Sequence, residues 1–103
     1  MENKMKKTIT KEYSIVRTYS AGVFAGNIVS RKGQEVVLAN ARRIWRWEGS
    51  SSLSQLAQSG TSKPEACKFP EAVDEITLLQ VIEILKCTKA GEASIKSVPV
   101  WKS

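Results

Sequence analysis

Arg42, Arg43, Trp45, Arg46 and Trp47 fall within six consecutive positions, and Ser50, Ser51 and Ser52 follow directly after Glu48 and Gly49. A guanidinium presents five N–H donors in a planar fork that matches phosphate. An indole presents a flat apolar face on which a nucleobase stacks, a contact of roughly 1–3 kcal/mol per base. Backbone N–H groups and serine hydroxyls at a helix start add an anion cradle. A ligand suited to all three groups carries a planar ring beside anionic groups, as a nucleotide does. Tyr13, Arg17 and Tyr19 repeat the aromatic and cationic combination, and Arg17 and Tyr19 join the candidate binding set if their strand neighbours residues 42–47. The competing reading makes Trp45 and Trp47 core residues with arginine stems packed over the edge.

Catalysis has less to draw on. The chain has no histidine, which removes the commonest general base and metal ligand. Phosphate-loop, nucleophile-elbow and paired Cys-x-x-Cys patterns are absent from it. Cys67 and Cys87 are too few for a zinc site and read as two reduced, partly buried thiols. The expectation is a protein that is no enzyme and needs neither metal nor cofactor.

Charge points the same way as the arginines. Sixteen Lys and Arg against ten Asp and Glu leave +6, with ten basic and four acidic residues in 1–48 and six of each in 49–103. An excess confined to one half favours a phosphate-bearing partner. The polar N-terminus lacks the apolar run of a signal peptide, and no stretch approaches the ~20 apolar residues of a membrane span. The expected location is the cytoplasm, with no membrane partner.

The elements that must position these groups follow from patterning. Residues 1–11 read as a flexible basic arm and 12–103 as one globular domain. "EYSIVRTYS" alternates as a strand, "VFAGNIVS" as a second strand interrupted by Gly26, and "EVVLANA" as a third beyond the turn "RKGQ". Gly26 inside a strand implies a bulge or a close backbone approach. "RRIWRW" continues as strand, and one short helix is expected around residues 51–59, capped by the serines and ended by Gly60. The proline-bearing stretch 61–75 should be an extended loop packed across the domain. The apolar run 76–88 suits either one helix or two short strands, and its β-branched residues favour strands. "KAGEASIKS" suggests a small helical turn, and "VPVWK" an edge strand or docked tail. The expected fold is α+β, a small strand-rich domain built as a curled antiparallel sheet or partial barrel.

From Tyr13 to Trp101 the wording, with "VRTYSAGVFAG" and "ARRIW" as its most specific strings, resembles a family of small phage and prophage proteins known as a domain of unknown function. The resemblance implies a phage accessory protein acting in the host cytoplasm and carries no catalytic residues. By analogy of size, charge and source, small basic phage proteins include oligomeric sponges that bind immune signalling nucleotides. The leading expectation is therefore a homo-oligomer that sequesters a nucleotide-derived ligand in a basic aromatic pocket. The alternatives are a virion or assembly component using the Arg/Trp surface for protein contacts, and single-stranded nucleic-acid binding.

Overall fold

A computed structural model describes residues 12–102. The expected arm at 1–11 lies outside the described residues, and with it go four of the sixteen basic residues and one of the ten acidic ones. Half of the surplus positive charge therefore belongs to residues 1–11 and half to the described residues.

Five strands, β1 (Tyr13–Thr18), β2 (Val23–Lys32), β3 (Glu35–Arg43), β4 (Val73–Leu78) and β5 (Val81–Lys86), form one antiparallel sheet in the order β4-β3-β2-β1-β5. The apolar run 76–88 is thus mostly strand, as its β-branched residues indicate. Its two strands do not pair with each other but occupy opposite edges of the sheet. Flat, five strands spaced ~4.8 Å apart would hold those edges about 19 Å from each other. Three Cα steps from Leu78 to Val81 span at most ~11 Å. The sheet has to curl, and register shifts between Arg17 and Thr18 and at two points along the β2–β3 ladder give it the local bends to do so. Gln80 O accepts from Tyr19 N and Gln34 O accepts from Val81 N, both at 2.9 Å, pinning the corner. The sheet remains open, since β4 and β5 share no ladder among the described residues.

Curling buries each face by a different route. One face carries Val16, Phe24, Val36, Leu38, Ala41, Leu78 and Val81, a cluster drawn from all five strands and from no helix. Only the folding of the sheet over itself hides it. The other face carries Tyr13, Ile15 and Ala25, covered by Leu56, Ala57, Phe69 and Ile95 from the helices and the long loop. Phe69 is fully buried and anchors that loop, which packs across the domain but is shorter than the expected 61–75, since β4 already begins at Val73, and it includes a short 3-10 turn at Pro64–Ala66.

Among the described residues two α-helices are present where one was expected. α1 (Leu53–Ser59) occupies the predicted place, with Ser52 as its N-cap and Gly60, at φ 83°, as its C-cap. α2 (Lys89–Ser97) replaces the expected helical turn. Gly91 lowers its intrinsic helix propensity, yet the packing demands that glycine, because a Cβ there would run into the Ala57 carbonyl of α1. Thr88 secures the junction by accepting from Gly91 N and donating to Gln58 O at 2.6 Å.

Candidate functional site

The arginine and tryptophan segment does not continue as a strand. β3 ends at Arg43, and residues 44–47 leave the sheet, holding a single bridge between Arg46 and Lys68. Just before that exit, β3 contains a bulge. Ala39 faces Asn27 and Arg42 faces Ala25, so three steps on β3 match two on β2. Asn40 absorbs the extra residue at φ 51°, a left-handed conformation that asparagine tolerates. Gly26 makes room for it, because a Cβ at 26 would lie 2.9 Å from Ala39 O and 3.1 Å from Ala41 Cα. The glycine marks both a bulge and a close approach.

Because side chains alternate along a strand, one inserted residue reverses every side chain after it. Without the bulge, Arg42 would share a face with Val36 and Leu38. With it, Ala41 takes that face and Arg42 turns to the helix side. There Arg42 is 7% exposed and donates from Nε to Pro70 O (3.2 Å), from Nη1 to Ile95 O (3.1 Å) and from Nη2 to Phe69 O (3.1 Å). Three of its five N–H donors are taken by carbonyls on the helix side, so Arg42 does not join Arg43, Arg46 and the tryptophans in the single phosphate site expected of the segment. Burial holds its pKa below the ordinary value. Arg43, one residue on, lies on the opposite face, its guanidinium carbon 4.4 Å from the Phe24 ring centre and Nη1 donating to Ala21 O at 2.6 Å. Arg42 and Arg43 do not converge on one ligand.

The serines likewise form no anion cradle. Ser52 Oγ accepts from Gln55 N, and Gln55 Oε1 accepts from both Ser51 N and Ser51 Oγ, while Ser50 Oγ bonds Ser52 O. The helix start is closed by its own side chains. Arg17 pairs with Glu83 at 2.9 Å on β5. Strand β2 separates β1 from β3, so Arg17 and the 75% exposed Tyr19 do not join residues 42–47 in a single patch. Trp47 packs partly buried against the helix-side core, as the competing core reading held.

Trp45 behaves differently. It is 59% exposed and stacks on Trp101, with ring centres 5.0 Å apart and planes tilted by 32°. The Lys68 ammonium sits 5.5 Å from the Trp45 ring centre and 5.3 Å from that of Trp101. Three short extended segments position this group. Lys68 N donates to Arg46 O at 2.8 Å, Phe69 bridges Val100 in parallel, and Trp101 N donates to Phe69 O at 3.0 Å. Arg46 flanks the group with an exposed side chain paired to Glu48 at 3.3 Å. Lys68 and Trp101 were not among the residues expected at a site. The signal for Trp101 was the apolar tail "VPVW", which has to dock somewhere, and for Lys68 its place beside the core residue Phe69.

Cys67 and Cys87 are both free thiols, as expected. Among the described residues no three His, Cys, Asp or Glu gather as a metal site, and no helix is long and apolar enough to cross a membrane.

A family model described as a domain of unknown function (DUF6948) matches residues 11–95, most of the chain. No curated protein and no solved structure matches it.

Proposed function

We propose that this chain, which belongs to the DUF6948 family, is a non-enzymatic binding protein. In this reading it recognises a planar, phosphate-bearing ligand of the nucleotide type on the Trp45–Trp101 pair. The observation that carries the reading is the exposed, tilted tryptophan stack with an ammonium 5.3 and 5.5 Å from its rings. Exposing a large aromatic side chain forgoes burial worth about 2–3 kcal/mol, and a base stacking on the outer face of Trp45 recovers it. Lys68 and Arg46 supply the cations for the adjoining phosphate.

The platform is open, whereas sites that sequester small ligands bury most of the ligand surface. As a sponge for a nucleotide-derived signal, in the phage accessory role, the protein would have to cover the platform with a second copy of itself. The same base-and-phosphate chemistry also occurs along single-stranded nucleic acid, which an open platform accommodates one base at a time. The test is tryptophan fluorescence and thermal midpoint of the whole chain with linear nucleotides, cyclic nucleotides and short single-stranded oligonucleotides. Quenching with a raised midpoint, both lost in Trp45→Ala, is expected from at least one class. Response to cyclic or linear nucleotides alone identifies a sequestered signal, and response to oligonucleotides with steep salt dependence identifies a strand. No response at about 1 mM from any of them overturns the reading for all but millimolar ligands. That result would favour the protein-contact role that exposed Trp45 and Val100 also suit.

A further inference from the structure

On the helix side of the sheet, a cleft of about 260 Å³ is lined by Tyr13, Asn40, Arg42, Lys96, Val98 and Val100, together with Ala72. Its polar groups are unlike those of an ordinary crevice. Arg42 is a buried cation, and buried charges are normally paired with a carboxylate. Among the described residues no carboxylate lies within 4 Å of it. Its three backbone bonds and the Phe69 ring, 5.5 Å from the guanidinium carbon, meet part of its need. A guanidinium has five N–H donors, so two have no partner among the described residues.

Lys96 adds a second cation, its ammonium 5.0 Å from the centre of the Tyr13 ring. The carboxylate next to it, Glu92, is bonded to Lys96 itself at 2.7 Å. Glu92 takes one of the three ammonium donors of Lys96, whereas Arg42 has no carboxylate partner among the described residues. Asn40 is the third donor and is the described non-glycine residue with positive φ, 51°. The bulge that turns Arg42 towards this side of the sheet is therefore the same feature that places Asn40 on the cleft wall. Such uncommon backbone conformations gather at ligand sites.

We propose that this cleft binds a compact oxyanion, a phosphate or carboxylate group, with Arg42 as the central donor and Asn40 and Lys96 on its flanks. The volume holds a small anionic group with room to spare and lies just below the usual range of ligand pockets. Val100 lines the cleft and Trp101, its chain neighbour, belongs to the platform. The proposal does not depend on the platform taking a base.

Arg42 also holds the fold together, so the test avoids it. Asn40→Gly keeps the left-handed backbone accessible and removes only the amide, and Lys96→Gln keeps length and helix propensity while removing a cation. The measurement is the thermal midpoint of the whole chain titrated with inorganic phosphate and, separately, with acetate, each against sodium chloride at equal ionic strength. The expected result is a saturable rise in excess of chloride, with apparent affinity about tenfold weaker in each variant. A rise with phosphate alone assigns a phosphate group, and a rise with acetate alone a carboxylate. An excess retained in full by both variants is the general effect of excluded salts and overturns the proposal, as does no excess at all. Trp45→Ala should leave the anion response unchanged, which separates failure here from failure at the platform.

Discussion

The two faces of the sheet solve the burial problem in opposite ways. The curled face is sealed by strands alone, and its core of Val16, Phe24, Val36, Leu38, Ala41, Leu78 and Val81 contains no titratable group. The helix face is covered by short helices, a long loop and the C-terminal tail, and it holds Tyr13, Arg42 and Cys87 amid its apolar residues. A sheet that closes on itself needs only shape-complementary apolar side chains. A face covered by a helix end and irregular chain brings down carbonyls with acceptor capacity to spare, and Arg42 donates to three of them, of which Phe69 O and Ile95 O also accept from Trp101 N and Val98 N. The polar chemistry of this protein therefore belongs on the helix face, where the proposed anion cleft lies and where the Phe69 segment carries the tryptophan platform.

Adjacent arginines give the sharpest way to break the comparison. Arg42→Leu should lose roughly 2–3 kcal/mol in urea unfolding, because it removes three hydrogen bonds from a cation, leaving Pro70 O without a partner among the described residues and Phe69 O and Ile95 O with only their backbone donors, Trp101 N and Val98 N. Arg43→Leu, exposed over Phe24 on the other face, should lose about 1 kcal/mol or less. Equal losses would mean that the two faces do not differ in what their arginines do.

Alkaline pH should act on the helix face next. Burial, with a smaller push from Glu92, raises the Cys87 thiol from 9.0 to about 11, and burial raises the Tyr13 phenol in the same direction. Between those Cys87 values the folded chain keeps a proton that the unfolded chain has released, so stability falls as pH rises. The loss is on the order of 1 kcal/mol by about pH 10. Denaturant midpoints across this range should show it, and Cys87→Ala should flatten the part due to the thiol. A profile unaffected by that variant would place the titrating group elsewhere.

The smallest effect is expected on the curled side of β1. Ser14 is 1% exposed, and its hydroxyl has no hydrogen-bond partner among the described residues. Ser14→Ala should gain up to about 1 kcal/mol, since it removes a desolvated polar group at little cost in volume. A clear loss of stability would show that the hydroxyl is satisfied after all.

Much of the architecture was legible from local pattern. β1, β2 and the start of β3 follow from alternation and β-branching, α1 from Ser52 and Gly60, and the docked tail from Pro99 and its apolar neighbours. α2 exceeds the small helical turn expected of "KAGEASIKS": Gly91 weakens a helix judged alone, whereas here it is the point of contact with α1. The candidate site was legible only in its composition. "RRIWRW" announced cations and indoles, but it scatters them: Arg42 inward, Arg43 to the far face, Trp47 into the core and Trp45 to the surface.

What the sequence determined by itself was a strand-rich basic domain with no histidine, a glycine-marked irregularity in β2 and an unusual density of arginine and tryptophan. Only the tertiary structure decided which face each of those side chains meets. The reason is the single extra residue at Asn40, which reverses the alternation of everything after it. It forms because β2 presents Gly26 opposite, a contact between strands that no local pattern within β3 encodes. Lys68 and Trp101 meet Trp45 for a similar reason, since segments far apart in sequence are brought side by side by the burial of Phe69.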